Sequence, residues 1–308
     1  MIRMAKILLL GRGGQVGWEL QRSLAPLGEV IALDFDSNDY CGDFTNLAGL
    51  TATVRTIAPD FIVNAGAHTA VDKAEAEPEL VRTINALAPG ALANVAKEVG
   101  AWLVHYSTDY VFDGSGDKPW LETDVPAPLS VYGRTKLEGE QLISASGCKH
   151  LIFRTSWVYA ARGGNFAKTM LKLAQERDVL KVINDQTGAP TGAELLADVT
   201  AHALRQGVEK LALGYDLSGL YHVAAGGETT WFDYANHVLS HAKKAQNAIK
   251  MVVTSVLPVP TSAFQTAAKR PLNSRLDTNK IQSTFGLTLP HWTIGVNRML
   301  TEFLEKQA

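Results

Sequence analysis

Short apolar runs alternate with longer stretches of helical period through the first half of the chain. Val16, Leu20 and Leu24 recur every four residues and predict an amphipathic helix that ends near Gly28. A long helix with one buried face is predicted over residues 81–95. Strands are predicted at residues 6–10, 30–33, 61–63, 102–106 and 151–153. This alternation predicts an α/β fold, in which helices cover both faces of a parallel sheet.

Two stretches depart from the alternation. Between residues 114 and 128, two glycines and three prolines disfavour a regular element, so we expect a long loop, and such loops are often functional. Beyond about residue 160 the pattern loses its regularity, although a last amphipathic helix is clear over 296–304. We therefore expect a main sheet domain over 1–160 and a smaller region over 161–308, with some of its elements returning to the sheet.

Composition and charge exclude several classes of protein. The 308 residues include 29 Lys and Arg against 31 Asp and Glu, and the net charge of −2 provides no broad attraction for nucleic acid or an anionic membrane. Cys41 and Cys148 are too few for a disulfide framework and indicate a reducing, cytoplasmic setting. The apolar run at 7–10 is too short for a membrane span, which needs about 20 residues, and no signal-peptide layout precedes it.

A glycine-rich segment follows the first predicted strand and opens the first predicted helix. It reads Gly11, Arg12, Gly13, Gly14, Gln15, Val16, Gly17, with glycines three apart. Glycines let the backbone turn tightly and approach phosphates, whose charge is met by free N–H groups and the helix dipole, so the segment indicates a dinucleotide pyrophosphate site. An ordinary glycine-rich turn is the alternative.

Asp34 ends the second predicted strand, 17 positions after Gly17. An acid at this place accepts a hydrogen bond from an adenosine ribose hydroxyl and favours NAD. Arg12 lies inside the turn, where its guanidinium could pair with the 2′-phosphate of NADP. The residues therefore leave the choice between NADH and NADPH open, and Asp34 could also be a solvated carboxylate at a strand end.

Three further side chains suggest acid–base chemistry. Tyr132 and Lys136 lie four apart, on one face of a predicted helix, where a cation favours phenolate and lowers the pKa of the tyrosine. Thr108 ends another strand, where a hydroxyl could polarise a substrate carbonyl. Each signal alone is common, since surface pairs of this spacing and threonines that cap loops are frequent. Their occurrence together and in this order strengthens the functional interpretation.

Several longer segments, spread over nearly the whole length, extend these motifs. They are GRGGQVGWEL (11–20), NAGAHTAVDKAE (64–75), STDYVFDG (107–114), YGRTK (132–136), RTSWVY (154–159), APT (189–191) and RPLNS (270–274). On these motifs and segments the chain resembles the extended short-chain dehydrogenase/reductases, and within them the dTDP-4-dehydrorhamnose reductase family.

The resemblance implies a Rossmann-type, doubly wound parallel sheet that binds the dinucleotide, with a smaller C-terminal α/β region that binds the substrate. It implies transfer of a hydride from NADPH or NADH to carbon 4 of dTDP-4-dehydro-L-rhamnose, a sugar nucleotide, which gives dTDP-L-rhamnose. Tyr132 would protonate the alkoxide, and Lys136 would bind the nicotinamide ribose and lower the tyrosine pKa. Thr108 would hydrogen-bond the carbonyl oxygen.

The resemblance also implies residues that line the two ligands. Positions expected to line the cofactor, besides the glycine-rich segment, are Asp43, Phe44, Ala67, His68, Thr69 and Tyr106. Substrate contacts are expected from Val111, Phe112, Trp157 and Arg275. Core filling is the alternative for Trp157, and a solvated side chain is the alternative for Arg275.

Two groups of side chains are candidate metal ligands, and the resemblance suggests a homodimer. Some reductases of this family carry Mg²⁺ bound by glutamates at a dimer contact, and the matching carboxylates would be Glu19 and Glu194, with Glu302 a looser match. Solvated carboxylates are the favoured interpretation, and hydride transfer needs no metal. Asp233, His237 and His241 share one helix face, but without another ligand signature a surface helix is favoured.

Two other functions remain open at this point. A sugar-nucleotide epimerase or 4,6-dehydratase shares the fold, but dehydratases of this group typically have Asp-Glu after the strand-end Thr, and here the pair is Asp109-Tyr110. The other alternative is a non-catalytic nucleotide-binding regulator, similar to the regulatory subunit of methionine adenosyltransferase. The presence of Thr108, Tyr132 and Lys136 argues against it.

Overall fold

A central sheet of parallel strands organises the structure, a computed structural model that describes residues 4–245 and 249–305. The strands in chain order are β1 (Ala5–Leu10), β2 (Gly28–Leu33), β3 (Phe61–Asn64), β4 (Trp102–Thr108), β5 (Lys149–Thr155), β6 (Val158–Tyr159), β7 (Val179–Ile183), β8 (Thr187–Gly188), β9 (Thr191–Gly192), β10 (Gly219–His222), β11 (Thr229–Thr230) and β12 (Ser255–Val259). The order across the central sheet is β2, β1, β3, β4, β5, β10. Because β2 and β3 lie on opposite sides of β1, the strand order reverses there, and such a point is where open α/β sheets bind ligands.

Helices cover both faces of the sheet. They are α1 (Gln15–Leu24), α2 (Leu47–Ile57), α3 (Val71–Ala74), α4 (Pro78–Arg82), α5 (Ala88–Val99), α6 (Val131–Ser146), α7 (Phe166–Glu176), α8 (Ala193–Ala212), α9 (Trp231–Lys244), α10 (Asn279–Phe285) and α11 (Trp292–Glu305). Ile7 and Leu9 of β1 pack into the core under α1 and α8, whereas Leu8 and Leu10 pack into the core under α2, α5 and α6. This alternation explains the uninterrupted apolar run, because both faces of the strand are buried. None of the described helices meets the length and hydropathy needed to cross a bilayer.

The α/β fold and the five strands predicted from the sequence are confirmed, with strand ends that differ by at most two residues. The helix predicted over 81–95 differs in its geometry, because a π-helical turn at Thr83–Leu87 joins α4 to α5. Pro89 has no backbone N–H to donate to the carbonyl of Asn85, four residues earlier, and such a missing bond favours a local π turn. The turn places the buried side chain of Asn85 beside the loop that follows β3.

Parts of the second half of the chain return to the sheet. Helix α8 packs on α1, and β10 extends the sheet beyond β5. A separate core forms between α7, α9, α11 and the paired strands β7 and β12. The segment 114–128 lacks helix and strand, as expected for a loop, and it is held by the C-terminal half through bonds such as that from Trp120 N to Arg275 O at 2.9 Å. The domain boundary near residue 160 stays a prediction.

Candidate active site

The glycine-rich turn lies between β1 and α1, at the point where the strand order reverses. Gly11 has φ +82°, and a Cβ there would lie 2.6 Å from Gly66 N. A Cβ on Gly17 would lie 1.9 Å from Gly11 O, because the first turn of α1 packs directly on the strand end. A side chain at either position would collide with these backbone atoms, so both positions require glycine.

The first of two joined cavities begins at this turn and has a volume of about 460 Å³. Asp34 lines it, and its carboxylate accepts from Gly13 N at 2.9 Å and from Phe35 N at 3.1 Å. The other predicted cofactor residues that line it are Gly11, Gly14, Asp43, Phe44 and Ala67. Arg12 lies outside the lining, with its guanidinium directed at Ala32 O at 3.4 Å. The arrangement leaves room for an adenosine between the acid and the apolar side chains.

The second cavity has a volume of about 480 Å³ and shares Gly14, Ala65 and Ala67 with the first. Thr108, Tyr132 and Lys136 all line it, although Thr108 lies on another element, 24 residues before Tyr132. The remaining predicted cofactor residues in its lining are Gln15, Val16, Thr69 and Tyr106. The three candidate catalytic side chains therefore meet beside the inner end of the predicted dinucleotide cleft.

Local structure places Tyr132 in the first turn of α6. Ser130 caps this helix, and its hydroxyl accepts from Gly133 N at 3.1 Å. The phenol is buried beside Thr108, and the edge of the Tyr110 ring packs on it with 5.6 Å between ring centroids. Burial raises the pKa of Tyr132 to about 12, although its hydrogen bond with Thr108 lowers it. The phenol is therefore protonated at neutral pH.

Lys136 is buried one turn further along α6 and reaches β4. Its Nζ donates to the Tyr106 carbonyl at 2.5 Å and lies 3.1 Å from His105 Nε2. Burial lowers the pKa of Lys136 to about 8, although the charge of Glu140 raises it. The sequence suggested that Lys136 lowers the pKa of Tyr132, but the structure directs its nitrogen at β4, and burial dominates the pKa of the tyrosine.

Asp109 is a site residue whose role the sequence did not indicate. It lines the second cavity next to Thr108, whose hydroxyl donates to Asp109 Oδ1 at 3.0 Å. The other oxygen, Oδ2, is buried without a hydrogen-bond partner. Burial raises the pKa of Asp109 to about 6, against hydrogen bonds from Ser274 and Thr108 that lower it. A carboxyl that titrates near neutral pH thus lies beside the candidate acid.

Asn85, in the π-helical turn, is a second residue that sequence reasoning missed. Its Oδ1 accepts from His68 N at 2.9 Å, and its Nδ2 donates to His68 O at 3.0 Å. These two bonds fix the backbone of the loop that carries Ala67 and Thr69. The side chain of His68 points elsewhere, with Nε2 3.7 Å from a Glu77 carboxylate oxygen, and it does not line either cavity.

The residues predicted to contact substrate divide into two groups. Trp157 lines the second cavity, has φ +49°, and stacks on Trp231 with 3.6 Å between ring centroids. Val111 and Phe112 are fully buried outside the lining, since the Phe112 ring stacks on Trp120 in the interior. The turn after β4 directs both side chains into the core, away from this cavity, and their predicted contact with substrate stays a prediction.

Arg275 is likewise held away from this cavity. Its Nε donates to a Glu228 carboxylate oxygen at 2.7 Å, and its Nη1 donates to Asn273 Oδ1 at 3.3 Å. Trp231 was not predicted as a site residue, but it closes the cavity opposite the sheet as the partner of Trp157. Its position at the start of α9 gave no motif by which sequence reasoning could have found it.

Within the single described chain, the carboxylates that the resemblance implies for Mg²⁺ at a dimer contact are not gathered into a metal site. Glu19 lies 3.6 Å from Arg22, Glu194 lies 3.7 Å from Arg298, and Glu302 is exposed on α11. Over residues 4–245 and 249–305, no group of three or more His, Cys, Asp or Glu side chains could hold a metal ion. On α9, Asp233 instead accepts a hydrogen bond from the Thr230 hydroxyl, and His237 Nε2 is hydrogen-bonded to Asn297 Oδ1.

The two joined cavities do fit a dinucleotide. The backbone approach at Gly11 and Gly17 leaves the start of α1 open to a phosphate, where helix N–H groups are available. Ser107 Oγ and Thr155 Oγ1 are buried in the second cavity without hydrogen-bond partners, so polar groups of a ligand can satisfy them. A nucleotide in the first cavity would direct its other end toward Tyr132 and Lys136.

Comparison with known proteins agrees with this geometry. The family model described as "RmlD substrate binding domain" matches residues 5–305. The dTDP-4-dehydrorhamnose reductase of Escherichia coli K12 is 61% identical, over 98% of this chain and 99% of that protein. The enzyme of the same name from Salmonella typhimurium is 61% identical, over 96% of this chain and 97% of its own.

Solved structures give the same result. A dTDP-4-dehydrorhamnose reductase of Clostridium acetobutylicum superposes with a TM-score of 0.86 at 36% identity, over 96% of this chain and 99% of that chain. The Bacillus anthracis enzyme, solved in complex with NADP, has a TM-score of 0.84 at 35% identity, over 97% of this chain and 100% of that chain. A UDP-glucose 4-epimerase of Thermus thermophilus, 19% identical, shares the fold. The chain belongs to the dTDP-4-dehydrorhamnose reductase family of Rossmann-fold oxidoreductases.

Proposed function

We propose that the protein reduces the 4-keto group of dTDP-4-dehydro-L-rhamnose with NADPH or NADH and releases dTDP-L-rhamnose. The observation that carries the proposal is the meeting of Thr108, Tyr132 and Lys136 in a cavity that continues the dinucleotide cleft. The printed names of relatives at 61% identity and the NADP complex of a structural neighbour support the substrate and the cofactor class.

The bound nicotinamide supplies the hydride, and the protein supplies position and a proton. Tyr132 donates its phenolic proton to the oxygen of carbon 4 as that oxygen becomes an alkoxide. The raised pKa of Tyr132, about 12, suits this direction, because the phenol is protonated before each turnover. Lys136 binds the ribose of the cofactor, and its charge stabilises the phenolate that remains after proton transfer.

Thr108 holds the carbonyl oxygen within reach of Tyr132. Its hydroxyl hydrogen is directed at Asp109 Oδ1 at 3.0 Å, so the hydroxyl must rotate to donate to a substrate. A protonated Asp109 releases that hydrogen, because the neutral acid can itself donate to Thr108 Oγ1. Trp157, stacked on Trp231, offers an aromatic surface for the sugar nucleotide on the other side of the cavity.

The residues at the first cavity determine the preference between NADH and NADPH. Asp34 there accepts two backbone hydrogen bonds and keeps a carboxylate beside the expected ribose, which favours a free 2′-hydroxyl. The Arg12 guanidinium can offset the negative charge of Asp34 only if it breaks its hydrogen bond to Ala32 O, at 3.4 Å. We therefore expect both cofactors to be used.

A coupled assay tests the proposed function. Upstream enzymes generate dTDP-4-dehydro-L-rhamnose, and the loss of nicotinamide absorbance is followed with NADPH and NADH in separate reactions. Stoichiometric oxidation of the cofactor with formation of dTDP-L-rhamnose is the expected result. No oxidation of either cofactor, with the fold intact by circular dichroism, would contradict the proposal.

The same assay separates the alternatives. An epimerase or 4,6-dehydratase returns the hydride to the same sugar, so it consumes no net NADPH. Tyr110 occupies the position where dehydratases of this group typically have Glu, and its ring packs on Tyr132, which leaves no carboxylate there for elimination. A regulatory subunit would co-purify with a catalytic partner and turn over no 4-ketosugar.

The assembly and the compartment are part of the proposal. We expect a homodimer, which light scattering coupled to size exclusion tests directly. Cys41 and Cys148 are free thiols in the described structure, which suits a reducing cytoplasm. The proposed hydride transfer needs no metal, because Tyr132 supplies the proton and Thr108 holds the carbonyl oxygen, so we expect a chelator to leave the activity of the dialysed enzyme unchanged.

A further inference from the structure

A line of buried polar groups leads from Gly66, in the loop after β3, to Lys136 on α6. Gly66 N donates to Asn64 Oδ1 at 3.0 Å, and Asn64 Nδ2 lies 3.1 Å from His105 Nδ1. His105 Nε2 lies 3.1 Å from Lys136 Nζ, which donates to the Tyr106 carbonyl. Asn64, His105 and Lys136 are 1%, 1% and 2% exposed, so water does not supply alternative partners.

The direction of each hydrogen bond follows from the one before it. A backbone N–H can only donate, so the atom of Asn64 that faces Gly66 is the oxygen, and the amide NH₂ faces His105. His105 Nδ1 must then accept. A neutral imidazole carries one proton, which therefore lies on Nε2 and points at Lys136 Nζ. An ammonium group has no lone pair to accept it, whereas a neutral amine has one.

We propose that His105 is a positioning residue for Lys136, whose side-chain nitrogen it holds as a neutral amine that takes up a proton when the dinucleotide binds. In this arrangement every donor in the line has an acceptor, and the amine still donates to the Tyr106 carbonyl. The inference deepens the proposed function, because it rests on the role of Lys136 toward the cofactor. It adds that the backbone N–H of Gly66, acting through Asn64 and His105, helps to set the charge of Lys136.

The burial of Lys136 favours the neutral amine, which becomes the main form above a pH of about 8. Burial lowers the pKa of His105 well below its ordinary value and lowers that of Lys136 to about 8. The charge of Glu140 on α6 raises the pKa of Lys136, but the Glu140 carboxylate accepts two hydrogen bonds from Arg154 of β5, at 2.6 and 2.9 Å. The other titratable groups that line the second cavity with Lys136 are Tyr106 on β4, Asp109 and Tyr110 after it, and Tyr132 on α6.

Binding of the cofactor changes this balance. A pyrophosphate brings negative charge to the cleft, and a ribose hydroxyl offers an acceptor, and both favour the ammonium form of Lys136. The ammonium cannot accept from His105 Nε2, so the line must rearrange as the proton arrives. We therefore expect NADPH to bind with net uptake of protons. Lys136 then carries its full charge when the cofactor is present, and this charge stabilises the phenolate of Tyr132.

Nitrogen NMR of the cofactor-free enzyme tests the tautomer. In protein labelled with ¹⁵N-histidine, we expect His105 Nε2 to carry the proton and Nδ1 to be unprotonated, with no titration of the ring near its ordinary pKa of 6.5. The signals are assigned by their absence from His105→Gln. If that variant does not fold, the shift of the same signals in Lys136→Met assigns them. A proton on Nδ1, or a doubly protonated ring, would overturn the proposal.

Calorimetry tests the proton uptake. The enthalpy of NADPH binding is measured at pH 8 in two buffers of different ionisation enthalpy, and the slope gives the number of protons taken up. With a pKa of about 8 for Lys136, we expect up to about half a proton for the unaltered enzyme. Lys136→Met should abolish this uptake. His105→Gln should reduce it several-fold, because the glutamine oxygen can accept from the ammonium and stabilise it before binding.

His222→Gln is the matched control, because His222 is fully buried in β10 and bonded through Nδ1 to Trp120 O at 3.1 Å. We expect it to leave the uptake unchanged. Equal uptake by the unaltered enzyme and His105→Gln would overturn the proposal. If the expected tautomer and uptake are found but no 4-ketosugar is reduced, the proposed function fails and the link between His105 and Lys136 stands.

Discussion

Tyr132→Phe removes the proposed proton donor and keeps the ring. General acid catalysis typically contributes a factor of about 10²–10⁴, so we expect the rate of hydride transfer to fall by that factor, or about 3–5 kcal/mol in the barrier. The phenol interacts with Thr108, and the loss of one such interaction costs about 0.5–1.5 kcal/mol of folding free energy. The stability change is thus too small to explain the loss of rate.

The assay separates the two quantities. Single-turnover oxidation of NADPH gives the rate of the chemical step, fluorescence quenching gives the Kd of NADPH, and urea unfolding gives the free energy of unfolding. Tyr110→Phe is the matched control, because Tyr110 lines the same cavity and packs against Tyr132. It removes a hydroxyl that has no proposed role in proton transfer.

We expect Tyr132→Phe to bind NADPH with a Kd within about threefold of the unaltered enzyme and to lose at least 99% of its single-turnover rate. Tyr110→Phe should keep most of that rate. A Tyr132→Phe variant with more than a tenth of the normal rate would refute the assignment of the proton donor. So would an equal loss in both variants, because it would indicate a general disturbance of the cavity.

Three further predictions concern the cofactor turn and the buried charges. Gly17→Ala puts a Cβ 1.9 Å from Gly11 O, so it should weaken NADPH binding at least tenfold by calorimetry, and unchanged affinity would contradict the proposed cofactor turn. Glu140→Gln leaves the buried guanidinium of Arg154 uncompensated and should lower the free energy of unfolding by about 3–5 kcal/mol in urea; a loss below about 1 kcal/mol would argue against the pair. Burial raises the pKa of Asp109 in the folded state to about 6, so the folded protein holds this proton more tightly than the unfolded chain does. The stability that results is present at low pH and is lost as the pH rises from about 4 through 6. The free energy of unfolding relative to Asp109→Asn should therefore fall by up to about 3 kcal/mol over this window in urea titrations, and a flat or rising difference would contradict it.

Much of the cofactor half could be predicted from the sequence because its signals are local. A strand buried on both faces must be apolar throughout, and a helix that covers it repeats its apolar residues every turn, so β1 and α1 are visible in the residues themselves. Gly11 and Gly17 are visible for a similar reason, since the short distance between the strand end and the helix excludes a side chain at both. The spacing of Tyr132 and Lys136 within one helix turn is also a local property.

The tertiary structure alone decided which groups these side chains meet. The direction of Lys136 toward His105 and the Tyr106 carbonyl depends on how α6 packs on β4, and no spacing along the chain records that contact. Phe112 follows Thr108 by four residues yet points into the core, and Trp231 reaches the cavity from a helix far along the chain. Short-range periodicity reflects only neighbours within a turn or a strand, whereas burial, charge and the meeting of distant side chains arise when whole layers pack together.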